Sequence, residues 1–284
     1  MRSGEWSEVA ALLNHRDREV RREAAGALSE PKLVWLRIPN QRSFDTWSDT
    51  FDMSPVIPDL IKRLSDRSKD VRLAVARALS TRGKEANGYV DFSPAVPVLI
   101  DILSDKSPVY RLRAAQIIQE LILDVCHHNQ STFKAIPAAS REALAPLIPA
   151  LKQAISGANK EVGETAAVAL TQYLVHTRQF QELTLLLDSM APKMKYEVIW
   201  GLPCRGGPDC DYDISPLIPT LVSLISERAG SVGVAARHSL YEFVEHGLSL
   251  TGRTERASLI HVEMDKADLT VNANGSSGEK SGTS

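Results

Sequence analysis

Residues Ser54–Leu79 read SPVIPDLIKRLSDRSKDVRLAVARAL, and residues Ser93–Ile118 read SPAVPVLIDILSDKSPVYRLRAAQII. The two align without a gap at an offset of 39 residues, matching Ser-Pro, a second Pro, Leu-Ile, Leu, Ser-Asp and Arg. The same pattern returns in APLIPALKQAISGANKEVGETAAVAL (Ala145–Leu170) and SPLIPTLVSLISERAGSVGVAARHSL (Ser215–Leu240). Two looser copies stand at Val9–Leu28 and Leu183–Leu202, making six repeats near 9–28, 55–79, 94–118, 146–170, 183–202 and 216–240. Self-similarity at such a period is the mark of a repeat architecture, in which no single unit can bury its own apolar face.

Each copy reads as two helices joined by a short polar turn such as SDRSKD. Ser54, Ser93 and Ser215 are expected as N-caps, with Pro55, Pro94 and Pro216 at the first helical position, where a missing N–H costs nothing. The second prolines, Pro58, Pro97, Pro149 and Pro219, are expected near the end of the first turn, bending the helix slightly. Leu60, Ile61 and Leu64 give the first helix an apolar face. Val71, Val75, Ala78 and Leu79 do so for the second. Small residues on that face, Ala24, Ala114, Ala166 and Ala236, would let neighbouring helices approach closely.

The pattern P-x-L-I-x-x-L-x-D-x(4)-V-R-x-x-A-x-x-A-L resembles the HEAT repeat family over roughly residues 9–245. The resemblance implies an all-α fold, a right-handed α-solenoid of about six HEAT-like helical hairpins over residues 1–249. In that family a turn Asp and an Arg six residues later form a ladder between repeats. Asp66/Arg72 and Asp105/Arg111 match the pair. The other copies have His15/Arg21, Gly157/Gly163, Ser189/Lys195 and Glu227/Gly233, so the ladder is expected to be incomplete. The same resemblance implies that the second helices line the concave side.

Inserts at 29–53, 80–92, 126–142 and 203–214 break the period. Such loops usually emerge on one face of a solenoid and can shape binding. The 29–53 insert, with Trp35 and Trp47, would either do that or fold back to cap the first repeat. Residues 250–284 form a C-terminal tail of low apolar content, largely disordered from 265 onward by composition. Cys126 and Cys204, Cys210 fall in inserts, with His127 and His128 beside the first. Thiolate and imidazole are zinc ligands, but C-x(5)-C is not a zinc-finger spacing and no second matched pair exists. Free, bridged and metal-bound thiols therefore stay open, and no cofactor is expected.

The 284 residues carry 33 Lys+Arg against 35 Asp+Glu, with 43% hydrophobic and 6% aromatic residues. A net charge of −2 provides no whole-chain field for nucleic acid or an anionic membrane. Residues 1–125 are nearly neutral, with 19 basic and 18 acidic side chains. No run approaches the about 18 apolar residues that would span a bilayer, and the opening MRSGEWSEVAALLN is no secretory signal. The expected location is cytoplasmic. None of the seven His is followed by Glu, which argues against the His-Glu ligand set of the HEAT-type deoxyhypusine hydroxylases. The near-neutral first half argues against a HEAT-like DNA glycosylase, which needs a basic face around a flipped base. No Walker A loop, G-x-S-x-G or G-x-G-x-x-G occurs.

These features point to a non-catalytic scaffold or adaptor that binds a protein or peptide. The alternatives are an enzyme subunit similar to the bilin lyases, and a nucleic-acid binder. Counting from Val71, positions 3, 4 and 7 of the second helices, Leu73 among them, should face away from the core defined by positions 1, 5, 8 and 9. In the early repeats that surface holds Arg22, Arg77, Arg113 and Gln116. In the late repeats it holds Tyr196, Trp200, Val234 and His238. Aromatic residues and Arg are the usual anchors of protein interfaces.

Overall fold

A computed structural model describes residues 3–29, 55–81, 84–85, 88–89, 91–127, 138–200, 202, 215–226 and 230–247. The regular elements among those residues are helices apart from one short hairpin. The chain divides into two compact units, residues 1–124 with 142–165, and residues 125–141 with 166–284.

In the first unit α1 (Ser3–Leu13) and α2 (Arg18–Ser29) make one helical pair, and α3 (Ile57–Arg63) and α4 (Lys69–Thr81) the next. α5 (Val96–Leu103) and α6 (Pro108–His127) occupy the third copy of the sequence pattern. α7 (Ala138–Leu144) follows in the chain and belongs to the second unit for most of its length. α8 (Leu147–Ile155) and α9 (Lys160–His176) take the fourth copy, with α9 beginning in the first unit and continuing into the second. The pairs stack like on like: α2 packs on α4 and α1 on α3, while α5 packs on α8. In the second unit α10 (Phe180–Ser189) and α11 (Pro192–Trp200) precede α12 (Ile218–Ser226) and α13 (Ser231–Gly247). Both α11 and α12 pack on α13.

The core follows the repeat. Val71, Val75, Ala78 and Leu79 on α4 are all buried, as are Ala24, Ala114, Ala166 and Ala236. Leu60, Leu64 and Leu103 fill the first-helix side. Each fully buried aliphatic side chain contributes about 1.5–3 kcal/mol. Two expectations fail here. Leu73, read as facing outward, is buried, because α4 meets α2 as well as α3 and so needs more than one apolar stripe. Ile61, read as core, is exposed at the solvent side of α3.

The helix starts also differ from the expected caps. Ser93 and Ser215 are not N-caps but the first residues of short 3-10 turns, Ser93–Ala95 and Ser215–Leu217. Asp91 Oδ1 accepts the Ser93 N–H at 2.9 Å, and the Ala95 N–H reaches the Phe92 carbonyl at 2.8 Å. The α-helix proper then begins at Val96 with Pro97 in its first turn, and at Ile57 with Pro58 likewise. Pro149 and Pro219 also sit within the first three residues of α8 and α12. There a proline's missing N–H leaves no bond unmade, so these residues start the helices rather than bend them. Ser54 lies outside the described residues. α9 closes on Arg178, which takes the left-handed conformation at φ 59°, where glycine is commoner. The Gln179 N–H then reaches the Leu174 carbonyl and the Arg178 N–H that of Val175.

The inserts fall partly within the described residues. Within 80–92, Lys84–Glu85 and Gly88–Tyr89 pair as an antiparallel hairpin, Lys84 opposite Tyr89. Within 126–142, α6 runs on through Cys126 to His127, and α7 occupies the C-terminal end. The 30–53 part of the first insert, the loop 203–214 and the tail from 248 lie outside the described residues, as do Cys204, Cys210 and His128. No helix among the described residues is long and apolar enough to cross a membrane.

Candidate functional site

The second helices of the two units present different chemistry at the same repeat positions. In the first unit the ladder forms, with a change of partners. Arg21 of α2 reaches Asp66 in the turn after α3, Nε to Oδ2 at 2.7 Å and Nη2 to Oδ1 at 3.0 Å. Arg21 Nη1 also donates to the carbonyls of His15 and Arg16. The Asp66 side chain is only 2% exposed. Burial works to raise its carboxyl, but the hydrogen bonds from Arg21 and the Ser68 N–H outweigh it and hold Asp66 below the usual carboxylate range. At the next rung Lys69 takes Asp105, while Arg72 reaches Asp101 at 3.1 Å. The Lys69 ammonium, then the Ser107 N–H, likewise lower Asp105.

Of the expected early-repeat anchors, three are already engaged. Arg77 grips Glu120 through both Nε and Nη2, at 3.0 and 3.2 Å. Arg113 Nη1 meets Asp70 at 3.1 Å, where the Tyr110 hydroxyl also donates. Arg22 pairs with Glu19 one turn earlier on its own helix. Gln116 is exposed. The first two contacts join neighbouring second helices, α4 to α6. They are exposed ion pairs, whose energetic worth is small.

In the second unit the equivalent positions are aromatic and come together. Tyr196 and Trp200 lie one turn apart on α11, their rings stacked with centroids 5.9 Å apart and planes at 19°. Trp200 also stacks on His238 of α13, at 4.8 Å and 24°. Behind this row, Ser239 Oγ donates to the Ile199 carbonyl at 3.0 Å, a buried bond that fixes α13 against α11. Val198 and Ile199 point inward and are buried, so the helix turns its two rings the other way. Trp200 stays 43% exposed and Val234, one turn before His238, 64% exposed. All four late-repeat residues therefore occur where the repeat register puts them.

Tyr241 was not among the residues that the register singled out, yet it is exposed and completes the spacing 234, 238, 241 on one face of α13. That i, i+4, i+7 spacing was present in the sequence and is the signal that finds it. Leu185 on α10 is a further exposed apolar residue of this unit.

Among the described residues no cluster of three or more His, Cys, Asp or Glu could hold a metal ion.

No protein-family model matches the chain. No curated protein matches it either. Solved structures do. An engineered protein is similar at 15% identity and a TM-score of 0.40, over 95% of this chain and 97% of its own. The N-terminal domain of MAST/Orbit is similar at 14% identity and a TM-score of 0.40, over 74% and 97%. The complex of CpcE and CpcF of phycocyanin lyase from Nostoc sp. PCC7120 is similar at 18% identity and a TM-score of 0.36, over 92% and 94%.

Proposed function

We propose that this chain is a non-catalytic scaffold, a right-handed solenoid of six HEAT-like repeats that holds a protein or peptide on its second-helix face. The partner seats on the aromatic row of the second unit. One observation carries this reading: Trp200 stacks on both Tyr196 and His238 and is nonetheless 43% exposed. Stacking fixes the ring, so little side-chain entropy is lost when a partner covers it, and a preorganised aromatic is the commonest kind of interface anchor. Val234 extends the apolar surface alongside. A cytoplasmic location goes with this reading.

The early-repeat arginines speak against nucleic acid as the partner, since Arg22, Arg77 and Arg113 each already neutralise a carboxylate. Phosphate binding would have to break those pairs. Affinity capture on the full chain at rising salt tests the reading. Binding through the aromatic row should retain a protein from low to high ionic strength. Captured material that is nucleic acid, or that is released steeply with salt, would contradict it.

A further inference from the structure

The ladder of the first unit has a third rung, and it is built differently. Arg111 on α6 occupies the register of Arg21 and Arg72. Arg21 meets the turn residue Asp66, and Arg72 meets Asp101 one turn earlier on α5; the residues at those two places for Arg111 are Gly157 and Gln153, neither of them charged. Among the described residues the Arg111 side chain makes no hydrogen bond or ion pair; its Nε is buried without a partner, as is that of Arg72, but Arg72 has Asp101 at its Nη1 and Arg111 has no carboxylate. Arg21 and Arg72 at the same position each hold a carboxylate.

Beside Arg111 lies a cavity of about 160 Å³ that Gly157 also lines. Ser104, Gln153 and Asn159 contribute neutral polar groups to its wall, and Leu103 and Val162 apolar ones. Asn159 Oδ1 is occupied by the Val162 N–H at 3.0 Å. A single water needs only about 10–15 Å³ of such space, so the cavity has room for a carboxylate and the carbon that carries it.

We infer that this cavity is a binding site for one carboxylate group, which completes the third rung by pairing with Arg111. The charge decides the class of ligand. Among the described residues Arg111 is the one cation in the lining, and a guanidinium matches a singly charged, planar carboxylate in a two-pronged geometry. A phosphate dianion would leave charge uncompensated. Burying an unpaired guanidinium Nε costs free energy that a ligand carboxylate would return. The group can come from an acidic side chain of a bound polypeptide or from a small free acid. The inference stands apart from the aromatic row of the second unit.

The test follows the Arg111 Nε–Hε resonance in the ¹⁵N-labelled full chain, assigned by its disappearance in Arg111→Gln. The probes are sodium propionate and a capped aspartate (N-acetyl-aspartate N-methylamide), each against sodium chloride at equal ionic strength. A saturable shift with either carboxylate and none with chloride is expected, and the tighter of the two identifies the source. Gly157→Asp should supply the carboxylate internally and remove the response. A Cβ at Gly157 would lie 3.1 Å from the Ala154 carbonyl oxygen, so Gly157→Ala controls for that crowding and should keep the response. No saturable shift with either carboxylate, an equal response to chloride, or an undiminished response in Gly157→Asp would overturn the inference.

Discussion

The second helices of the two units use their outward-facing positions for opposite purposes. On α4 and α6, Arg77 and Arg113 reach across to Glu120 and Asp70, so their charge is consumed in joining one helix to the next. On α11 and α13, Tyr196, Trp200 and His238 also join one helix to the next, but through ring faces, and the outer surface of the row stays in contact with solvent. A repeat register tells which side chains become neighbours. It does not tell whether the pairing exhausts them. An ion pair between neighbours satisfies both partners, whereas a stacked ring keeps an open apolar face and edge for a third.

The comparison breaks first in the core beneath both faces. Replacing Leu103 by Ala, or Leu64 by Ala, should cost about 2–5 kcal/mol, because each buried side chain leaves a cavity in the first-helix layer. Urea unfolding followed by circular dichroism reads the loss. A cost under 1 kcal/mol at both would mean that the repeats do not depend on that layer.

The next effect belongs to the ladder. Asp66→Asn removes the partner of a nearly buried Arg21 and should cost about 3 kcal/mol at neutral pH. The sign of its pH dependence follows from the lowered carboxyl. Asp66 contributes stability that is fully present above the ordinary aspartate range and is lost as pH falls through its depressed folded value. Wild type and Asp66→Asn should therefore differ most near neutrality and converge in acid. Parallel curves down to the acid limit would remove Asp66 from the account. By contrast, Arg77→Ala should cost less than about 1 kcal/mol, since Arg77 and Glu120 are both well exposed and water screens them. Comparable losses at Arg77 and Asp66 in the same denaturation assay would contradict the ranking of the two contacts.

Much of this was legible in the residues. The 39-residue offset and the Val71, Val75, Ala78, Leu79 spacing located the helical pairs and their inner face. Tyr196, Trp200 and His238 were expected on one surface from the register, and their rings stack on one another. What was not legible had three physical causes. Leu73 turned inward because a helix packed between neighbours buries more than one stripe, and periodicity on a single helix reports only one. The Ser93-Pro94 start became a 3-10 turn in which Asp91, two residues before Ser93, supplied the side-chain acceptor that Ser93 was expected to be. The ladder changed partners because side-chain reach, not position in the turn, chose them. Arg21 of a copy whose own turn has His15 found Asp66 in the next, and Lys69 displaced Arg72 at Asp105. No sequence rule applied to one copy at a time contains those choices.

The claim that the aromatic row is the working surface predicts a change in binding with little change in folding, and Trp200→Ala measures both. The ring is exposed and rests on side chains rather than in the core, so its removal should lower the melting temperature by no more than a few degrees. The partner retained by the wild-type chain in affinity capture should be lost from the variant. Undiminished capture by a folded Trp200→Ala chain, or collapse of the fold on removing this one ring, would contradict the account.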